Sequence, residues 1–137
     1  MSDENKAIVN RFFEELNKGN LGVIDTFIAD NFVEHEEMPP GTPPGREGVK
    51  AFFSMLRGAF PDLRMDVQQV VAEGDLVSVF LAMNGTHNGE FVGIPATGKR
   101  VSVPAADLIR FQNGKATEHW GVTDMAGLMQ QLGVGGP

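Results

Sequence analysis

The hydrophobic period of this chain changes once, near Leu63, from helical spacing to the alternation of strands, and that change sets its fold class. Before it, Ile8, Val9, Phe12, Phe13 and Leu16 recur at helical spacing, with Ser2 or Asp3 to cap the start and Gly19 to take the left-handed stop. Val23, Ile24, Phe27 and Ile28 repeat the pattern over a shorter span ending near Asp30. Val49, Phe52, Phe53, Leu56 and Phe60 repeat it again until Pro61 stops it. Three amphipathic helices are therefore expected in the first 60 residues. Between the second and third lies NFVEHEEMPPGTPPGRE, residues 31–47, whose four prolines predict a loop over much of its length.

After the change, Met65, Val67, Val70 and Val71 form one β run and Leu76, Val77, Val79, Phe80 and Leu81 another, with Glu73-Gly74-Asp75 as the hairpin turn. The second run is apolar on both faces, which predicts a strand covered on two sides. Residues 101–111 and 115–122 form a long antiparallel hairpin through Gln112-Asn113-Gly114, where Asn-Gly supplies positive φ angles. Met125, Leu128, Met129 and Leu132 return to helical spacing, with Asp124 as cap and Gly133 as stop, and the closing GVGGP reads as frayed. No internal repeat is visible. Helices first and a mainly antiparallel sheet afterwards describe an α+β domain spanning residues 1–137, in which a curved sheet wraps the three N-terminal helices and leaves an apolar cavity.

Composition narrows the chemistry. Eighteen Asp and Glu against eleven Lys and Arg give a net charge of −7, and with no basic cluster to offset it, nucleic acid is excluded as an expected partner. The absence of cysteine removes disulfides, thiolate nucleophiles, thiolate zinc sites and iron–sulfur clusters. The longest nearly apolar stretch, residues 76–83, is far too short to cross a bilayer, and the first residues are charged, so a cytoplasmic protein without a membrane partner is expected. Catalysis would have to run on carboxylates, three histidines and hydroxyls.

In the strand 101–111 the odd positions are Val, Val, Ala, Asp, Ile and Phe, so the odd face is the buried one and Asp107 sits in its middle. A carboxylate there must be paired or hydrated, and desolvation should raise its pKa toward the range useful for proton transfer. The structural alternative is a bond to a backbone amide or to Arg110. Counting back from the turn places Asp107 opposite about residue 119, which makes His119 its expected partner, either as a catalytic pair or as a cross-strand structural one. Glu118 and Trp120 fall on the other face, as packing or interface contacts. His35, among Glu34, Glu36 and Glu37, is read as a polar group at the pocket mouth or a solvated loop histidine, because the segment lacks metal-ligand spacing. His87, among turn formers, is assigned local hydrogen bonding. Residues 93–99, GIPATGK, have the spacing of a phosphate-binding loop. Arg100 stands where the hydroxyl residue belongs, however, and a strand follows, so nucleotide binding is not expected.

The segments FVEH (32–35), FPDL (60–63), GTHNGEF (85–91), GIPATGK (93–99), RFQNGK (110–115), EHWG (118–121) and QQLG (130–133) resemble the SnoaL-like polyketide cyclases, or ester cyclases, over nearly the whole chain. The resemblance implies the NTF2-like (cystatin-like) cone. It also implies a cofactor-free intramolecular aldol closure driven by an acid near the end of the last strand, helped by a histidine on the preceding one. Those positions correspond here to Gly121 and to Asp107 or its neighbour. Either Asp107 and His119 exchange roles, or Asp124 supplies the acid, or the chemistry is lost. For Asp124, capping the last helix is the preferred reading.

The expected function is thus a cofactor-independent, metal-free enzyme acting on a small apolar carbonyl compound. Asp107 or His119 would take the proton, His35 or the partner residue would bond the enolate, and Phe12, Phe32, Phe53, Phe91, Ile109 and Gly121 would line the pocket. A ligand-holding protein is the alternative, favoured by a pocket widened at Gly121. Epoxide hydration comes third, since Asp107 lacks an evident second buried carboxylate. Leu76 or Val77, Leu108 and Trp120 on the outer sheet face, together with the family resemblance, lead to an expected homodimer.

Overall fold

The computed structural model describes residues 2–134. Helix α1 (Ser2–Asn17) and the short α2 (Val23–Phe27) lead into strand β1 (Ile28–Glu34), and α3 (Gly45–Ala59) follows the proline-rich loop. Strands β2 (Arg64–Glu73), β3 (Leu76–Thr86), β4 (Arg100–Gln112) and β5 (Lys115–Thr123) come next, and α4 (Met125–Leu132) closes the described chain. The α+β order, the two hairpins and the short final helix agree with the sequence. Asn113 and Gly114 take the positive φ angles, 52° and 78°, that a two-residue hairpin requires.

The sheet order is β1-β5-β4-β3-β2, antiparallel except for β1, which pairs with β5 in parallel. That strand is a correction: the helical period through Ile28 stops at Phe27, and residues 28–34 are extended. Breaks in register between Val67 and Gln69 and between Arg110 and Phe111 mark bulges, which bend a sheet and aid its curvature around the helices. Only one face of β3 is covered within the chain. Val77, Val79, Leu81 and Met83 are buried in the core on the side that α1 covers, whereas Phe80 on the other face is 46% exposed. The expected two-sided cover is therefore absent among the described residues.

Side chains tie the helices to the sheet. Asn17 exchanges two hydrogen bonds with the backbone of Met65, and Arg57 donates to the Leu16 carbonyl at 2.6 Å, beside the Gly19 amide that also bonds it at the end of α1. Ser2 lies inside α1 instead of capping it, and its hydroxyl donates to the Gly74 carbonyl. Asp124 caps α4, accepting from the Gly127 amide at 2.9 Å, and Gly133 ends the helix at φ 83°. Most of the GVGGP segment lies outside the described residues. Among the described residues, no helix is long and apolar enough to cross a membrane.

Candidate active site

A cavity of about 650 Å³ opens between the inner sheet face and the helices. Its walls are mostly apolar, and Phe12, Phe32, Phe53, Phe91, Ile109 and Gly121 all lie in them. At one side, four ionisable groups converge from three strands and the loop after β1: Asp107, His119, Glu34 and Glu36.

The local fold explains this convergence. Alternation along β1 and its extension sends Glu34 and Glu36 inward and His35 outward, and the His35 amide continues the pairing by donating to the His119 carbonyl. On the β4–β5 ladder the bulge beside Thr117 shifts the pairing by one residue. Asp107 thus stands opposite Gly121, and Ile109 opposite His119. The expected register of Asp107 with residue 119 is corrected accordingly, but the side chains still meet, diagonally. His119 Nε2 lies 2.7 Å from Asp107 Oδ1, and Nδ1 lies 2.7 Å from both oxygens of Glu34.

Burial alone would lower the pKa of His119, but the hydrogen bonds to Asp107 and Glu34 and their charges outweigh it and push the pKa up to about 10. The ring is therefore an imidazolium at neutral pH, donating from both nitrogens, and not a general base. Glu36 is the third carboxyl. Burial raises its pKa to about 7; His119 opposes that rise, and the neighbouring charges of Asp107 and Glu34 add to it. Glu36 has no hydrogen-bond partner among the described residues; its nearest cationic contact is His119 Nδ1, 4.0 Å away.

Three ligand atoms from Glu34, Glu36 and His119 lie within 4.8 Å of one another, but both ring nitrogens already face carboxylates. A cation there would have to replace the imidazole proton on Nδ1.

Glu34 and Glu36 escape a sequence reading that makes residues 31–47 a loop; the inward alternation of Phe32, Glu34 and Glu36 is the signal that could have found them. Asp107 does have a carboxylate partner across the His119 ring in Glu34, whose side chain is partly buried at 12% exposure. His35 lies at the cavity mouth as expected. Its ring stacks on Trp120 at 4.8 Å and bonds Glu118 at 2.9 Å on the outer face, turned away from the Asp107–His119 pair. Arg110 serves Asp75 and Glu118 there, so it is not the partner of Asp107. His87 is fully buried outside the cavity wall, bonded through Nδ1 to Thr97.

The model of the SnoaL-like polyketide cyclases matches residues 7–132. The chain belongs to that family. This SnoaL-like protein is 34% identical over 134 residues to an aklanonic acid methyl ester cyclase, DauD, of Streptomyces sp. strain C5, covering 92% of this chain and 80% of the relative. Among solved structures, AclR from Streptomyces galilaeus superposes with a TM-score of 0.86 at 30% identity, over 97% of this chain and 98% of that one. IdmH from Streptomyces antibioticus does so at 0.83 and 33%, over 95% and 99%. The cone expected from the resemblance is therefore the fold of this SnoaL-like chain.

At Gly121 the family resemblance places an acid that this member lacks, but the space is not an enlarged pocket. A Cβ built there would collide with Glu36 Oε1 and approach Asp107 Oδ1 and His119 Cε1 to 2.7 Å each. Asp124, the other candidate acid, is engaged as the N-cap of α4.

Proposed function

We propose that this SnoaL-like chain is a cofactor-independent acid/base catalyst that closes a ring in a small, largely apolar carbonyl compound by an intramolecular aldol reaction. The supporting observation is the pairing of opposites in one cavity: apolar walls, and on one side an imidazolium between two carboxylates with a third carboxyl beside it. A carboxylate of this cluster takes the proton from the carbon next to a carbonyl, and the resulting enolate carbon attacks a second carbonyl of the same molecule. One C–H bond breaks, one C–C bond forms, and the proton ends on the new hydroxyl, so no co-reactant is consumed. His119 contributes positive charge toward the oxyanion, and the dry walls strengthen that interaction.

A ligand-holding role without turnover is the second reading. Its support is the missing acid at position 121, and Glu36 occupies that space. The test is incubation of the purified chain with aklanonic acid methyl ester, the compound for which its relatives are named, without added cofactor or metal. A product of unchanged mass and altered retention is expected. Thermal stabilisation by an ester recovered unaltered would favour the binder.

A further inference from the structure

We propose that Glu36 is the proton-transferring carboxyl of this site, reaching from the loop after β1 into the space that Gly121 leaves open on β5. The assignment rests on the acid/base reading above and names the group that performs it.

Three carboxyls surround one imidazolium, and they are not equivalent. Asp107 is held on Nε2 and Glu34 on Nδ1, each at 2.7 Å, so the negative charge of both is committed to His119. Glu36 is left over. It bonds no donor among the described residues, lies in the cavity wall and is 4.0 Å from Nδ1. Glu34 has both oxygens on Nδ1 and Asp107 has Oδ1 on Nε2, which pairs the charge of each with the imidazolium; of the three only Glu36 has neither oxygen in a hydrogen bond, and so keeps the full carboxylate for a proton from carbon.

Gly121 makes this placement possible. Any Cβ at 121 would run into Glu36 Oε1 and crowd Asp107 Oδ1 and His119 Cε1, so the absence of a side chain on β5 and the presence of this carboxylate are one packing solution. The groups facing Glu36 are His119 on β5, Asp107 on β4 and Glu34 on β1. With burial they hold its pKa at about 7, where both protonation states are populated in use. In the reaction Glu36 takes the α-proton as carboxylate, holds it as carboxylic acid during C–C bond formation and returns it to the new alkoxide. The carboxylate is regenerated and nothing else is consumed.

Two measurements test the assignment. In chain carrying ¹³C at the glutamate carboxyls, one signal should titrate near pH 7 and disappear in Glu36→Gln; Gly121→Ala should displace the carboxylate and move the signal toward the ordinary 4.5. A Glu36 that titrates with the surface glutamates overturns the proposal. In the cyclisation assay, Glu36→Gln should lower turnover by about 10²–10⁴, and Glu36→Asp, which keeps the carboxyl, should stay well above Glu36→Gln. Wild-type turnover in Glu36→Gln overturns the assignment while the cyclase reading stands. A wild-type chain that titrates as expected but closes no ring overturns the cyclase reading instead, and leaves Glu36 as the proton-holding group of the cavity.

Discussion

His119 reaches Asp107 diagonally across the β4–β5 ladder, Nε2 to Oδ1 at 2.7 Å, while the residue directly opposite Asp107 is Gly121. A side chain at 121 would stand in the path of that diagonal, within 2.7 Å of both partners. The pair, the glycine and the bulge beside Thr117 that sets their register therefore form one construction.

Removing charge from this pair while keeping its shape should separate catalysis from folding. Asp107→Asn weakens the imidazolium that faces the oxyanion and is expected to lower turnover by about 10²–10³ with a near-native melting temperature. Equal turnover would exclude a catalytic contribution of the Asp107 charge. His119→Ala should do more, because Asp107 and Glu34 then face each other without a cation; a loss of about 3 kcal/mol or more in urea unfolding is expected.

Stability should fall from mildly acidic to alkaline pH, and two groups set the sign. Glu36 is raised from 4.5 to about 7, so the folded chain holds a proton that the unfolded chain has lost, and stability declines as pH rises from about 4.5 to 7. His119 is raised from 6.5 to about 10, so its contribution is complete below pH 6.5 and lost as pH climbs toward 10. Each tenfold fall in proton activity costs about 1.4 kcal/mol for every extra proton the folded chain holds, so unfolding at pH 6 and pH 9 should differ by a few kcal/mol. A chain equally stable at both values would contradict the assigned protonation of His119.

Much of this is legible in the sequence, and the failures have physical causes. The α1 and α3 periods, the Asn113-Gly114 turn and the Asp124 cap are local signals, and the structure carries them. Strand β1 is hidden because residues 23–28 satisfy a helical period up to the point where it breaks, and because its pairing with β5 is parallel and distant in sequence. That one miss conceals the inward Glu34 and Glu36 and the outward contacts of His35 with Trp120 and Glu118. Strand parity puts Asp107 and His119 on one face, but a one-residue bulge, which no pattern of hydrophobicity announces, alters which residues stand opposite.

Asp124 provides a control outside the cluster. Its carboxylate accepts from the Gly127 amide, so Asp124→Ala should cost about 1 kcal/mol of stability and leave turnover unchanged. A loss of turnover comparable to that of Glu36→Gln, in a folded chain, would make Asp124 a candidate acid again.

The outer sheet face should carry a twofold dimer. Phe80, Ala106 and Val122 lie in one row across three strands, and Ser78, Leu108 and Trp120 in the next, with Phe80 46% and Val122 70% exposed. We expect sedimentation at micromolar concentration to give twice the 14.8 kDa chain mass, and Phe80→Asp to return it to that of one chain. A wild-type mass of one chain would refute the dimer.

The site stores its charge as one imidazolium held by two carboxylates, which leaves Glu36 to exchange protons. The most direct measurement of that arrangement is the ¹⁵N shift of both His119 ring nitrogens, assigned with His119→Gln and followed from pH 6 to 9. Both nitrogens should stay protonated through pH 8, consistent with a pKa of about 10. A ring that becomes neutral near the ordinary 6.5 would contradict it.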